Sequence, residues 1–134
     1  MRNSLLVAAI LFVACRAAPV LASDHVVTAL TGPFRFEPPT LIIAPGDTVT
    51  FVNGGGFHNV RSDDGSVIVF RCANGCDGAG GNGNPNSDPW SATVSFPIAG
   101  VAPYHCEIHG SNGGGMHGTI TVDEGLIFED GFDS

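Results

Sequence analysis

The chain has 134 residues, enough for one domain, and carries five Lys plus Arg against 13 Asp plus Glu, a net charge of −8. Nucleic acid and anionic lipid bear the same sign of charge, so both are disfavoured as partners. A basic partner, or simply solubility after export, fits the balance.

The first predicted element is a leader. Met1-Arg2 supplies a positive start, Leu5 to Ala14 is an apolar run, and Val20-Leu21-Ala22 offers a small-residue cleavage site before Ser23. This is the pattern of a secretory signal peptide over residues 1–22. The run is too short, and too interrupted by Arg16 and Pro19, for a membrane span. Phe12-Val13-Ala14-Cys15 loosely resembles a lipoprotein processing site, but Phe stands where Leu is usual, so a lipid anchor at Cys15 is the weaker reading. The expected location is periplasmic or secreted. Without the leader, three arginines, no lysine and all 13 acids remain, a net charge of −10.

The body, residues 23–123, shows strand periodicity throughout. Short runs rich in Val, Ile, Thr and Phe fall at 25–30, 40–43, 48–52, 66–70, 93–96, 101–106 and 118–122. Pro and Gly separate them, and no segment holds a helical period. Seven or eight short strands in about 100 residues predict an all-β Greek-key sandwich or barrel. Ala44-Pro45-Gly46-Asp47 is read as a type II turn, with Gly at the positive-φ position. After it, Val49 and Phe51 share one face and Thr48, Thr50 and Val52 the other. In the 101–106 strand, Tyr104 and Cys106 share a face, while His105 points away from Cys106.

Residues 72–89 form a Gly- and Asn-rich loop too poor in apolar side chains to build a core. Asp77 and Asp88 lack the dense alternating spacing of a calcium loop. After leader removal Cys72, Cys76 and Cys106 remain, an odd number in an oxidising compartment. Cys72 and Cys76 lie in a stretch that can bend to join them, which leaves Cys106 as the free thiol. The acidic, aromatic tail, residues 124–134, has no assigned mechanism; an edge strand, a disordered tail and a sorting signal all remain open.

The chemistry concentrates in Tyr104-His-Cys-Glu-Ile-His-Gly-Ser-Asn-Gly-Gly-Gly-Met116. Cys106, His109 and Met116 stand there in order, and His58 lies upstream in Phe57-His58-Asn59-Val60. Each residue alone has an ordinary explanation: loop polar group, buried thiol, core filler. Together they make a thiolate, two imidazoles and a thioether, the donor set of a blue copper site. Structural zinc prefers four strong ligands, and a thioether is a weak one.

These motifs resemble those of the cupredoxins, the plastocyanin/azurin group, over roughly residues 25–122. The resemblance runs through Phe36-x-Pro38, Leu41-x-Ile43-x-x-Gly46-Asp47-x-Val49-x-Phe51-x-Asn53 and Phe57-His58-Asn59-Val60. It continues through Phe96-x-x-x-Gly100-x-x-x-Tyr104-x-Cys106-x-x-His109 and Gly115-Met116-x-Gly118-x-Ile120-x-Val122. It implies a cupredoxin-like fold, one type 1 copper, and His58, Cys106, His109 and Met116 as its metal ligands. It also implies that Asn59 ties the two ligand loops together by hydrogen bonds. The plastocyanin pattern has four residues between the second His and the Met; this chain has six, so the loop that would deliver Met116 is longer.

Other histidines are weighed separately. In copper nitrite reductases and multicopper oxidases a His beside the type 1 Cys serves a second copper site. Here the additional His-x-His patterns are missing, so His105 is read as an outward strand residue and His117 as solvent-facing. If cleavage falls after Ala22, the new terminus Ser23-Asp24-His25 could wrap Cu(II) in a square plane. The competing reading of His25 is an ordinary exposed side chain.

The function expected from the resemblance is a monomeric exported carrier of single electrons, not an enzyme. Redox proteins such as cytochromes would dock near His109 and Gly110. The alternative is a periplasmic copper carrier or buffer. A metal-free adhesion sandwich would require all four ligand types to coincide by chance.

Overall fold

Alternation drives the architecture, and the computed structural model describes it for residues 9–14 and 21–126. Residues 1–8 and 15–20, including Cys15, and those from 127 onward lie outside the described residues. Ten strands follow in chain order: β1 (Asp24–Leu30), β2 (Arg35–Glu37), β3 (Thr40–Ile43), β4 (Thr48–Asn53), β5 (Val60–Ser62), β6 (Arg71–Ala73), β7 (Gly75–Cys76), β8 (Ser91–Ser95), β9 (Gly100–Ser111) and β10 (Gly114–Val122).

They form two sheets, one in the order β2-β1-β4-β8 and the other β3-β10-β9-β5-β6-β7. Pairing is parallel between β1 and β4 and between β3 and β10, and antiparallel elsewhere. The apolar faces meet in one core: Val27, Ala29, Val49 and Phe51 from the first sheet, Ile43, Val60, Ala102, Tyr104 and Ile120 from the second. As expected, Val49 and Phe51 are buried while their neighbours in β4 are half-buried. Tyr104 is the hub, with Phe36 and Phe51 edge-on at centroid distances of 5.0 and 5.2 Å. Such aromatic contacts make a stiff floor beneath Cys106, two residues further along β9.

The sequence pattern and the structure part at 66–70. Only Phe70 is buried there, and Val69 is 91% exposed. The segment is an excursion pinned at its ends, where the Ser62 amide donates to Phe70 O at 2.9 Å and the Phe70 amide to Ser62 Oγ at 3.0 Å. The strands in this region are instead β5 and β6. With three residues each they are too short to display an alternation.

The Ala44–Asp47 turn forms as expected, with Gly46 at φ 93° and the Asp47 amide donating to Ala44 O at 3.0 Å. Its Asp47 carboxylate gathers three donors: the Ser23 amide at 2.9 Å, the Ala44 amide at 3.1 Å and His25 Nε2 at 3.0 Å. In the full chain His25 is thus engaged by Asp47, away from the wrapped copper site that a terminus at Ser23 would offer. Asp24 and His25 lie extended in β1, in register with Thr48 and Val49 of β4, and the imidazole is held by Asp47. A square-planar wrap would need that backbone to leave the sheet.

Candidate metal centre

His58 enters from the glycine turn after β4. The Gly54 amide donates to Ala29 O at 2.8 Å, which turns the chain back over β1. At Gly56, φ is 93° and a Cβ would lie 2.9 Å from His58 Nε2 and 2.2 Å from Thr31 Oγ1, so a side chain there would collide with the histidine and its partner. The His58 backbone is then gripped by the long loop. It exchanges both hydrogen bonds with Asn86 at 3.2 Å, and Trp90 Nε1 donates to His58 O at 3.2 Å. The loop that looked unstructured in sequence therefore locks a ligand backbone. It is braced by a Cys72–Cys76 disulfide, with Cys106 the free cysteine.

The remaining three residues come from a breach between β9 and β10. The pairs His105↔His117 and Gly110↔Gly115 flank it. Between them β9 carries Cys106, Glu107, Ile108 and His109, while β10 carries Met116 alone. The ladder cannot continue across such a mismatch, so the β9 segment bulges outward and redirects its side chains. Cys106 is fully buried, Met116 is 1% exposed, and His109 is half-buried. The six-residue gap before Met116 folds as a tight hairpin, with Ser111 paired to Gly114.

His58 Nδ1 lies 3.9 Å and His109 Nδ1 3.7 Å from Cys106 Sγ. Ligand atoms of these three side chains all fall within 4.8 Å of one another. Two imidazole nitrogens converging on one buried sulfur, with a buried thioether across the breach, is a donor set that suits copper. The tautomer of His58 favours this role. Thr31 Oγ1 donates its single proton to Gly55 O at 2.9 Å, so it accepts from His58 Nε2–H at 3.0 Å. The lone pair is then left on Nδ1, facing the sulfur. Burial, and secondarily the His109 charge, lower the pKa of His58 and keep it neutral.

A charged buttress stands behind the ligands. Asn59 Oδ1 accepts from the Glu107 amide at 2.9 Å, and its Nδ2 donates to Glu107 Oε2 at 2.8 Å and to Gly83 O at 3.0 Å. This links the residue after His58 to the residue after Cys106, as the resemblance implied. Arg71 and Arg61 close on the Glu107 carboxylate at 2.9 Å each. Arg71 first, then Arg61 and Asn59, overcome the effect of burial and hold the carboxyl pKa at about 2. Arg71 also binds Asp77 at 2.9 Å. Asp77 thus serves an ion pair.

His105 is the residue the structure corrects. It points away from Cys106, as expected, but it is only 8% exposed and pairs through Nδ1 with Asp63 Oδ1. The other oxygen of Asp63 accepts the Gly113 amide at 2.9 Å, while Asp64 and Asn112 exchange two hydrogen bonds of 3.2 and 3.0 Å. Asp63 and Asp64 thus tie down the tip of the lengthened hairpin. His117 is exposed, as expected.

Reading the sequence missed Thr31, Phe34 and Asp63. Phe34 stacks on His109 with ring centroids 3.7 Å apart and planes 11° from parallel. Nothing local marks these residues, since each meets its histidine or hairpin only through pairing of distant strands.

Gly110 faces Gly115 at the outer edge of the breach, where a Cβ would sit 2.4 Å from Met116 O and 2.9 Å from Gly114 O. The Gly110→Ala protein is therefore expected to lose about 1–3 kcal/mol of stability, because backbone on the facing strand must shift. Urea unfolding of the variant beside the parent measures this, and an unchanged midpoint would refute the close approach.

A two-sheet sandwich carrying a buried thiolate-capable sulfur between two imidazoles defines a metalloprotein of the copper-binding class. The chain matches the copper binding proteins, plastocyanin/azurin family, over residues 23–123, and it belongs to that family. It is 38% identical over 93 residues to a plastocyanin of Scenedesmus fuscus, covering 69% of this chain and 90% of that protein. A chloroplastic plastocyanin of Tetradesmus obliquus is 37% identical over 93 residues; the match covers 69% of this chain and 61% of that protein. Among solved structures, a Sinorhizobium pseudoazurin superposes with a TM-score of 0.54 at 32% identity, covering 76% of this chain and 75% of that one. The fold is that of a cupredoxin, and the cofactor of the family is copper.

Proposed function

We propose that this chain is a small exported type 1 copper protein that carries single electrons between redox partners, with His58, Cys106, His109 and Met116 as the metal ligands. The observation that carries the reading is the convergence of both Nδ1 atoms on the buried Cys106 sulfur within 4 Å. Copper, when bound there, supplies a one-electron couple between Cu(I) and Cu(II).

The chain's own part is to hold one geometry suited to both states. Thr31 fixes His58 from behind, and the Asn59–Glu107 pair fixes the spacing between the His58 and Cys106 loops. Tyr104 and its ring neighbours support β9 below the sulfur. Little can rearrange when an electron arrives or leaves, which favours rapid exchange. His109 is the half-buried ligand, flanked by Gly110 and the glycine hairpin, so it offers the short route to a docked protein. A small, brief encounter suits such a surface. Cytochromes are the partners proposed, the chain acts as a monomer, and the leader over residues 1–22 directs it to the periplasm or outside.

Adding Cu(II) to the purified apoprotein is expected to produce one equivalent of an intense blue absorption, followed by a reversible one-electron wave in voltammetry. A colourless product sinks the copper site. A blue protein that hands its copper to an acceptor protein, and exchanges electrons slowly, identifies a copper carrier instead.

A further inference from the structure

The two histidines are held by different means. His58 is fully buried and fixed through its Nε2 by Thr31. For His109, the side-chain hydrogen-bond geometry among the described residues is limited to Nδ1 facing Cys106 Sγ. What packs on its ring is Phe34, face to face at 3.7 Å. Phe34 itself remains 49% exposed and lies outside the sandwich core, so its ring packs on the imidazole and not on the core.

The segment that presents it touches both imidazoles. Thr31 to Phe34 is the turn between β1 and β2, closed at its ends by the pair Leu30↔Arg35. Thr31 anchors the near side through Gly55 O and His58. Phe34 then lies over His109 and stands 6.1 Å, edge-on, from His58. The turn is thus a third loop at the site, contributed by the opposite sheet from the one that carries Cys106 and Met116.

We propose that Phe34 is a positioning residue for His109, which holds the imidazole in its ligating orientation, keeps water from one of its faces and so biases the one-electron couple toward the reduced state. The proposal rests on the copper reading above. Reduction by a one-electron donor protein or dye adds an electron to the site while the thiolate and imidazoles keep their charge. The site therefore becomes less positive by one. A less hydrated surrounding favours the form with less charge, and the apolar shell of a metal site is a known lever on its potential. The ring stacks on His109 in both oxidation states, so only the difference between them moves the couple, and the full stacking contribution caps that bias at roughly 12-fold.

The test compares the parent with Phe34→Leu and Phe34→Tyr, each copper-loaded and copper-free. At a fixed ambient potential set by a redox dye, Phe34→Leu is expected to lower the ratio of reduced to oxidised protein by up to about 12-fold, and Phe34→Tyr to keep it at the parent's value. In copper-free protein, proton NMR should show the His109 ring protons shifted upfield by the stacked ring. That shift should vanish in Phe34→Leu and persist in Phe34→Tyr. A leucine variant with the parent's redox ratio overturns the proposal, whatever its NMR spectrum. His109 ring shifts that do not respond to the substitution overturn the stack itself. If the parent takes up no copper, the copper reading falls and the redox bias falls with it, while the NMR result still reports on the stack alone.

Discussion

Replacing Cys106 by serine is expected to abolish the blue absorption of copper-loaded protein altogether. The band arises from charge transfer between a thiolate and copper, and Cys106 is the free cysteine of the described chain. Serine is close in size to the fully buried cysteine it replaces, so the sandwich should persist. Substitutions in groups that merely support a metal ligand cost about 10- to 100-fold in affinity; loss of the sulfur itself should exceed roughly 100-fold. Absorption spectroscopy and a competitive chelator titration measure the two effects. A serine variant that remains blue would place the ligand sulfur elsewhere.

The second large effect lies at the start of β4, the end away from the turn that leads to His58. Asp47→Ala is expected to destabilise the fold by about 1–3 kcal/mol without altering the blue spectrum, because it strips the shared acceptor from three part-buried hydrogen bonds. The carboxylate takes the Ser23 and Ala44 amides and His25 Nε2, and so joins the start of β1 to the turn before β4. Burial by itself would raise the Asp47 pKa. The Ser23 amide, His25 and the Ala44 amide outweigh it, and the pKa sits below the ordinary aspartate value. The sign follows. Because the folded value is depressed, this stabilisation is fully present above the ordinary carboxylate range and is lost as the pH falls through the folded value. His25 is the titratable side chain that faces the carboxylate. Thermal unfolding as a function of pH should therefore show a smaller acid-induced loss in Asp47→Ala than in the parent. Equal acid sensitivity in the two proteins would remove Asp47 from the account.

These two residues were legible in the sequence to different degrees. Cys106 could be singled out by counting thiols and by its spacing to His109, since both ligands come from one short segment of β9. Asp47 was recognised only as a turn residue. Its burial depends on Ser23 and His25 crossing to it, through a parallel pairing of β1 with β4 that no local pattern encodes. Similarly, the alternation at 48–52 announced β4, whereas the apolar run at 66–70 suggested a strand and proved to be an excursion with Val69 in solvent. Residues of the same type can follow the same period and still face water, because burial is decided by what lies opposite.

Residue type and spacing by themselves determined the donor chemistry, the all-β class and the turn at Gly46, because ligand softness, strand periodicity and the positive φ of glycine are local properties. The tertiary structure alone decided how the donors are held. The breach opposite Met116 turns Cys106 and His109 toward the site and Glu107 toward its buttress, and the sheets bring Thr31 to His58, Phe34 to His109 and Asp63 to the hairpin tip. These contacts join residues distant in the chain, and a contact of that kind exists only once the ladders have set their register.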